Sequence, residues 1–247
     1  MNIDVVVDIA HGIGPHCQSN DAPLLAYATS VNIACGFHGG DPTRMQRAIA
    51  YANEHDLAIG AHVGYPDVRG GGETELSLPT EAAIADVLYQ AGALYALCAA
   101  QQAPLRYIAP QGALGRRISA DPAFALILAV QVNKFLQGIP IMLQAASPGA
   151  NALRNSGIAV LRVAYADRAY LSTNQIAPAT RPGAHLSDEQ VAEQAVQLAT
   201  AGPLATLDGD PIQLHTDSIT LMTQTPDRLA LLTAALTERG VQVRAPR

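Results

Sequence analysis

Seven short apolar runs, separated by longer amphipathic segments, constrain the fold of this chain more than any other feature. The runs lack strict alternation of apolar and polar residues, and they are β-branched or bounded by turn residues, which is typical of strands buried on both faces. They occupy residues 3–9, 31–35, 57–61, 105–109, 139–143, 158–165 and 218–222. We therefore predict a parallel sheet whose strands alternate with helices packed outside it.

The segments between the runs have features of helices. Asp41 followed by Pro42 is typical of an N-cap with proline at the first helical position. Helices are predicted at 42–55, 80–102, 122–136, 148–156, 187–201 and 226–239, and a long loop over one end of the sheet at 170–184. Since no change of composition divides the chain, we expect residues 1–247 to form one α/β barrel-like domain.

Composition argues against several kinds of partner. The formal net charge is −6 and no basic patch is present, so neither nucleic acid nor an anionic membrane is an expected partner. Cys17, Cys35 and Cys98 form no C-x-x-C pair, which argues against a disulfide framework and favours a reducing, cytoplasmic location. The longest apolar stretches are interrupted by polar residues, so no membrane span is predicted.

Polar residues recur just after the predicted strands, where parallel α/β barrels form their active sites. As catalytic candidates we take Asp8, His38 and His62, and as substrate-binding candidates Asp41, Tyr65, Asp67, Gln111, Asp167 and Arg168. His38 lies among Gly36, Gly39 and Gly40, which allow backbone and ligand to approach closely. Asp41 serves equally well as a helix cap.

Several motifs, in order along nearly the whole chain, resemble the LamB/YcsF family: NIACGFHGGDP (32–42), IGAHVGYPD (59–67), DVLYQAGAL (86–94), PQGAL (110–114), ADRAY (166–170) and RPGA (181–184). The resemblance implies a distorted seven-stranded (β/α) barrel related to the polysaccharide deacetylases. It also implies a role in the ATP-dependent opening of the 5-oxoproline lactam to glutamate. In that reaction partner subunits B and C supply the phosphorylation, so this chain is expected to bind no cofactor itself. Self-association or binding to larger subunits is implied as well.

Departures from the family pattern concentrate around the expected pocket. The opening motif resembles D-x-N-x-D-x-G-E, but Val6, Ala10 and His11 replace its asparagine, glycine and glutamate. A Phe-Gly-Arg-Arg segment is replaced by residues 71–74, and a Tyr-Asn pair by Gly115 and Arg116. Two further motifs of the family have no ionisable residues here. In the Lys-Pro-His-Gly motif, Ala109 and Gln111 replace the lysine and the histidine. In the Val-His-Gly-Asp-Thr-Pro motif, Met222 and Gln224 replace the histidine and the aspartate.

Each candidate role has a structural alternative. Asp8 is the retained candidate for the base that activates water, or it organises loop amides. His38 and His62 polarise or hold a substrate, or they bond to loop backbone. Arg168 binds a carboxylate with its planar fork, or it pairs with Asp167 to brace a loop. Tyr65 and Asp67 more readily shape their loop than react.

No metal is expected, but His11 with Asp8, His38 and His62 has the ligand types of a transition-metal site, as an alternative. Two functions follow from the sequence. The first is a lactam or amide hydrolase acting with partner subunits. The second is a non-catalytic homologue that serves as a structural, ligand-binding or regulatory subunit.

Overall fold

The computed structural model of the chain describes residues 1–14 and 21–246, so Cys17 lies outside the described residues. In this part of the chain the strands are β1 (Asn2–Ile9), β2 (Ser30–Ala34), β3 (Ala58–Val63), β4 (Leu105–Pro110), β5 (Ile141–Gln144), β6 (Val160–Tyr165), β7 (Pro203–Leu204), β8 (Ile212–Gln213), β9 (Ser218–Thr220) and β10 (Gln242–Val243). The helices are α1 (Ala22–Leu25), α2 (Pro42–Glu54), α3 (Thr80–Ala100), α4 (Gly112–Ala120), α5 (Pro122–Asn133), α6 (Pro148–Asn155), α7 (Asp188–Thr200) and α8 (Pro226–Glu238).

Seven parallel strands close into a barrel. Each strand from β1 to β6 is hydrogen-bonded to the next one in the chain. Strand β6 then pairs with β9, and β9 pairs with β1, which closes the sheet. Strand β10 adds to the amino-terminal end of β1, and β7 and β8 form a separate antiparallel pair. The seven barrel strands coincide with the seven apolar runs, so the expected seven-stranded α/β barrel is confirmed.

Alternate residues of each strand face opposite sides of the barrel wall. The odd-numbered residues 3–9 of β1 pack outward in the main core beneath the helices, whereas Val6 packs inside the barrel. This inner cluster consists of Val6, Ala58, Tyr107, Ala109, Met142 and Val163. Asp4 and Asp8 share the inward direction of Val6, so β1 places one carboxylate near each end of the barrel interior.

Helix α3 is, among the described residues, the one helix long and apolar enough to cross a membrane by length and composition. Its residues Val87, Ala91, Leu94 and Cys98 are fully buried in the protein core. They lie at the spacing of one helical face, which is the arrangement of a barrel helix packed on its sheet.

Helix α4 was missed by the sequence prediction. Gly112 and Gly115 lie in its first turns and lower the intrinsic helix propensity of the segment. Its apolar face, formed by Ala113, Leu114 and Ile118, is buried, so tertiary packing stabilises a helix that local propensity disfavours. The segment 170–184 is irregular, as predicted, with an isolated bridge between Tyr170 and Ile176.

Candidate active site

Four ionisable side chains converge at the carboxyl ends of β1, β2 and β3. We call them the mouth cluster: Asp8, His11, His38 and His62. The ring centroids of His38 and His62 are 5.1 Å apart, and both lie 5.5 Å from that of His11. Oδ1 of Asp8 lies 3.8 Å from Nε2 of His62. The structure therefore brings together the three catalytic candidates and adds His11 to them.

His11 reaches this cluster because the chain turns sharply after β1. Ala10 has a positive φ of 63°, a conformation that costs a non-glycine residue roughly 1–2 kcal/mol, and its N–H donates to Oδ2 of Asp21 (2.8 Å). The backbone of His11 then passes close to Gly39, where a Cβ would lie 2.8 Å from the His11 carbonyl oxygen. A side chain at position 39 would displace His11, which gives one physical reason for glycine beside His38.

His38 is packed against the backbone that follows β3. A Cβ at Gly64 would lie 2.6 Å from Nδ1 of His38, so this approach requires glycine. Gly64 is held in turn by the buried Gln90 of α3, which accepts from its N–H (3.0 Å) and donates to its carbonyl oxygen (2.9 Å). Sequence reasoning missed Gln90, although a fully buried glutamine in an apolar helix face is an unusual feature that requires partners.

His62 has its tautomer fixed by the neighbouring strand. Its Nδ1 lies 3.0 Å from the carbonyl oxygen of Ala109, and a carbonyl only accepts, so Nδ1 is the donor. In the neutral ring, Nε2 then holds a lone pair directed at the mouth cluster. Nε2 is buried and has no hydrogen-bond partner among the described residues.

Burial favours the neutral form of His38 and His11. His38 is 3% exposed, and neither of its ring nitrogens has a partner within the described part of the chain. Burial, followed by the proximity of His62 and His11, lowers the pKa of His38 to about 2. The pKa of His11 is also lowered, mainly by burial. Because each unsatisfied buried polar group costs about 1–3 kcal/mol, this cluster is not arranged for stability.

Asp8 is held from two sides. Its Oδ1 accepts from Nδ2 of Asn32 (2.7 Å) and its Oδ2 from Nε2 of Gln224 (2.9 Å). Oε1 of Gln224 also accepts from the Asp8 N–H (2.9 Å). Neither Asn32 nor Gln224 was predicted as a site residue. Gln224, one of the departures from the family pattern, is thus a direct partner of the retained carboxylate.

Three of the predicted substrate-binding residues shape loops. Asp41 caps α2 by accepting from the Arg44 N–H (3.0 Å), which agrees with the alternative given above. Asp67 accepts from the N–H groups of Gly70 and Thr74, both at 2.9 Å, and hydrogen bonds from Thr74 lower its pKa. Tyr65 is buried, and its hydroxyl accepts from Arg117 (3.2 Å).

The hydrogen bonds of Asp167 and Arg168 go largely to backbone groups rather than to each other. Asp167 accepts from the N–H groups of Met222 and Thr223, both at 2.8 Å, and so fixes the chain after β9. Arg168 is 4% exposed and donates to the carbonyl oxygens of Ala184 (3.1 Å) and Ala177 (2.6 Å). This matches the loop-bracing alternative for Arg168, but through backbone carbonyls of the 170–184 segment rather than through a pair with Asp167.

Two other departures meet at the rim of the barrel. Glu73 and Arg116 form an ion pair with an N–O distance of 2.5 Å, and both side chains are more than half exposed. Gln111 lies beside them and donates to the carbonyl oxygen of Gly71 (3.2 Å). The charges of Glu73 and Arg116 therefore balance each other at the rim.

The opposite end of the barrel also has a groove, of about 640 Å³. It is lined by Thr29, Arg106 and Arg244 among others, at the amino-terminal ends of the strands. Active sites of parallel barrels form at the other end, and the histidine cluster lies there. Its position in the barrel and its ionisable residues therefore favour the mouth cluster over this groove as the candidate active site.

Fold and site together define a β/α-barrel protein with a histidine–carboxylate cluster at the carboxyl ends of its strands. The chain belongs to the LamB/YcsF family, whose sequence profile matches residues 3–247.

Relatives with assigned functions cover nearly the whole chain. The A subunit of 5-oxoprolinase from Thermus thermophilus is 34% identical over 99% of this chain and 100% of its own length. An A subunit of 5-oxoprolinase from Agrobacterium fabrum is 37% identical over 93% of this chain and 90% of its own. The crystal structure of a lactam utilization protein from T. thermophilus superposes with a TM-score of 0.93 at 34% identity, covering 100% of both chains.

Proposed function

We propose that this chain is the lactam-opening component of a 5-oxoprolinase-like complex, with altered acid–base chemistry at its mouth cluster. One observation carries the proposal: Oδ1 of Asp8 and the lone pair of His62 Nε2 face each other at 3.8 Å. Two acceptors at this separation suit a water molecule that donates to both. The names of the relatives supply the substrate class.

The reaction assigned to this site is hydrolysis of a cyclic amide. Asp8 removes a proton from water while the water oxygen adds to the lactam carbonyl carbon. The ring C–N bond then breaks, and the proton moves to the leaving nitrogen, so that opening the ring consumes one water. Asn32 and Gln224 hold the carboxylate in position for both transfers.

Partner subunits supply what this chain lacks. Stabilising the oxyanion requires positive charge, and the family lysine is Ala109 here. The single lysine of the chain, Lys134, follows α5 and is exposed. Phosphorylation of the lactam oxygen by ATP in subunits resembling B and C would activate the carbonyl without a lysine in this chain. A second water then releases the phosphate, so one lactam, one ATP and two waters give glutamate, ADP and phosphate. We place this assembly in the cytoplasm, as the scattered cysteines suggest.

The test is an ATP-dependent assay in which the chain is combined with its cognate B and C subunits and glutamate is measured. We expect glutamate from 5-oxoproline, and loss of at least about 100-fold of this rate in Asp8→Asn, the typical contribution of a general base. A complex that assembles by size-exclusion chromatography yet forms no glutamate would refute the proposal for this substrate.

A second candidate is a non-catalytic subunit that retains the barrel and a ligand pocket. The replacements at Ala109, Gln111, Met222 and Gln224 favour it, because they remove ionisable groups from one region together. The quadruple variant Ala109→Lys, Gln111→His, Met222→His and Gln224→Asp distinguishes the candidates. Turnover that appears only in this variant would establish that the native chain is non-catalytic.

A further inference from the structure

Three histidines of the mouth cluster have the arrangement of metal ligands. His11, His38 and His62 each offer one ring nitrogen, and these three atoms all lie within 4.8 Å of one another. They come from three separate places, namely the turn after β1, the loop after β2 and the end of β3. Their convergence is therefore a product of the tertiary structure and does not follow from helical periodicity.

The ring nitrogens are available to a cation. Nε2 of His62 holds its lone pair toward the cluster because Nδ1 donates to Ala109. His38 is almost completely buried, and both of its nitrogens lack partners in the part of the chain that the structure describes. Buried imidazoles are normally hydrogen-bonded, so this pattern indicates a ligand that accepts their lone pairs.

Metal bonds would need a small contraction. Zinc–nitrogen bonds of about 2.0–2.1 Å in a tetrahedral site place ligand nitrogens about 3.4 Å apart. Each nitrogen would then move inward by roughly 1 Å, a shift within the reach of side-chain rotation and of the loops that hold His11 and His38.

The support around the histidines has the form found in metal sites. A backbone carbonyl orients His62 through its second nitrogen, as is usual for zinc-bound imidazoles. Asp8, held by Asn32 and Gln224, lies 3.8 Å from Nε2 of His62 and faces the same space. Three histidines and one free position is the ligand set of catalytic rather than structural zinc.

We propose that His11, His38 and His62 bind one divalent late transition metal, with Zn²⁺ as the expected ion, and that Asp8 faces its open coordination position. Imidazole nitrogen favours Zn²⁺ and Co²⁺ over Mg²⁺, which prefers oxygen ligands. The assignment concerns the same mouth cluster as the proposed hydrolysis. With a metal bound, the His62 lone pair would hold the ion, and the water that Asp8 activates would occupy the open position instead of donating to His62. Metal binding is measurable without turnover.

The experiment measures metal stoichiometry and affinity in tag-free protein that has been treated with chelator. After Zn²⁺ is added back, we expect elemental analysis to show one bound equivalent. Co²⁺ should compete with Zn²⁺ for the site, and Mg²⁺ should not. His38→Ala and His62→Ala should each weaken Zn²⁺ binding at least about 100-fold, and His11→Ala similarly. The matched control is His215→Ala, which changes an exposed histidine and should leave the affinity unchanged.

Two results would overturn the assignment: no Zn²⁺ bound by the wild-type protein, or equal binding by wild type and all three cluster variants. Circular dichroism of each metal-free variant establishes that it is folded. If an alanine variant is unfolded, His38→Gln or His62→Gln is measured in its place, because glutamine retains a polar side chain of similar size. Zinc bound without glutamate formation would uphold the metal site while the proposed hydrolysis fails, so the two outcomes are separable.

Discussion

The buried polar groups around Asp4 and those around Asp8 differ in how fully they are hydrogen-bonded, although the hydroxyl of Tyr107 near Asp4 also has no partner among the described residues. At the amino-terminal end, Asp4 accepts from the hydroxyls of Thr29 (2.7 Å), Ser30 (2.6 Å) and Ser218 (2.6 Å). We call these four residues the base cluster. At the carboxyl end, the mouth cluster has three buried imidazole nitrogens without partners among the described residues.

The difference agrees with a structural role for the base cluster and with the proposed functional role for the mouth cluster. Both carboxylates come from β1 and point to the same side of it, so the strand alone does not distinguish them. The base cluster is satisfied within the chain, and a satisfied buried network stabilises a unique fold. The mouth cluster is left unsatisfied at a cost in stability, which is expected where a ligand supplies the missing partners.

The largest expected effect is on turnover at the mouth. Asp8→Asn should lower kcat/KM in the assembled complex by about 10²–10⁴-fold, because the general base is lost. Its free energy of unfolding should fall by no more than about 2 kcal/mol, since the amide oxygen keeps one of the two hydrogen bonds while the new NH2 group faces the other amide donor. Denaturant unfolding and the glutamate assay test this together, and a large loss of stability would contradict the proposed separation of roles.

At the base the expectation is reversed. Asp4→Ala leaves the buried hydroxyls of Ser30 and Ser218 and the half-buried hydroxyl of Thr29 without this acceptor, and should lower the free energy of unfolding by about 2–4 kcal/mol. Catalytic rates of the folded fraction should match the wild type. Asp210→Ala, at an exposed aspartate, is the control and should be neutral within about 0.5 kcal/mol in urea unfolding.

His38→Leu tests the contrast between the base cluster and the mouth cluster. It removes an imidazole whose nitrogens have no hydrogen-bond partner among the described residues. In metal-free protein we expect the free energy of unfolding to change by no more than about 1 kcal/mol, or to rise. Zinc affinity should fall at the same time. A destabilisation comparable to that of Asp4→Ala would show that His38 is a structural residue.

The pH dependence of stability should report the base cluster. Burial raises the pKa of Asp4 above 3.8 despite its three hydroxyl donors. A raised pKa means that the stability contributed by protonated Asp4 is lost as pH increases from about 4 through the folded-state value. Wild type should therefore lose stability relative to Asp4→Asn as pH rises through this window. Thermal unfolding of both proteins from about pH 4 upward measures the difference, and the opposite slope would contradict it.

The smallest effect is expected at the exposed rim. A double-mutant cycle on Glu73 and Arg116 should give a coupling energy below about 0.5 kcal/mol, since both side chains are more than half exposed. Urea unfolding of the two single variants and the double variant measures it. A coupling energy well above about 1 kcal/mol would mean that this exposed pair contributes substantially to the stability of the fold.

The sequence by itself determined the order of strands and most helices. The strands could be located because a barrel wall buried on both faces leaves continuous apolar runs. The N-cap of α2 is Asp41, which caps through a local hydrogen bond and so could be predicted without tertiary information. Asp8, His38 and His62 were found for a similar reason, because carboxyl ends of parallel strands meet at one end of a barrel.

Only the tertiary structure decided which polar residues act together. Asp8 and Gln224 are 216 positions apart, and their contact exists because β9 closes the barrel against β1. Likewise, the tautomer of His62 depends on a carbonyl of the next strand, and the direction of Arg168 on the loop it braces. Residue type and spacing give the available chemistry, but hydrogen-bond satisfaction depends on distances between segments remote in sequence, which local patterns do not encode.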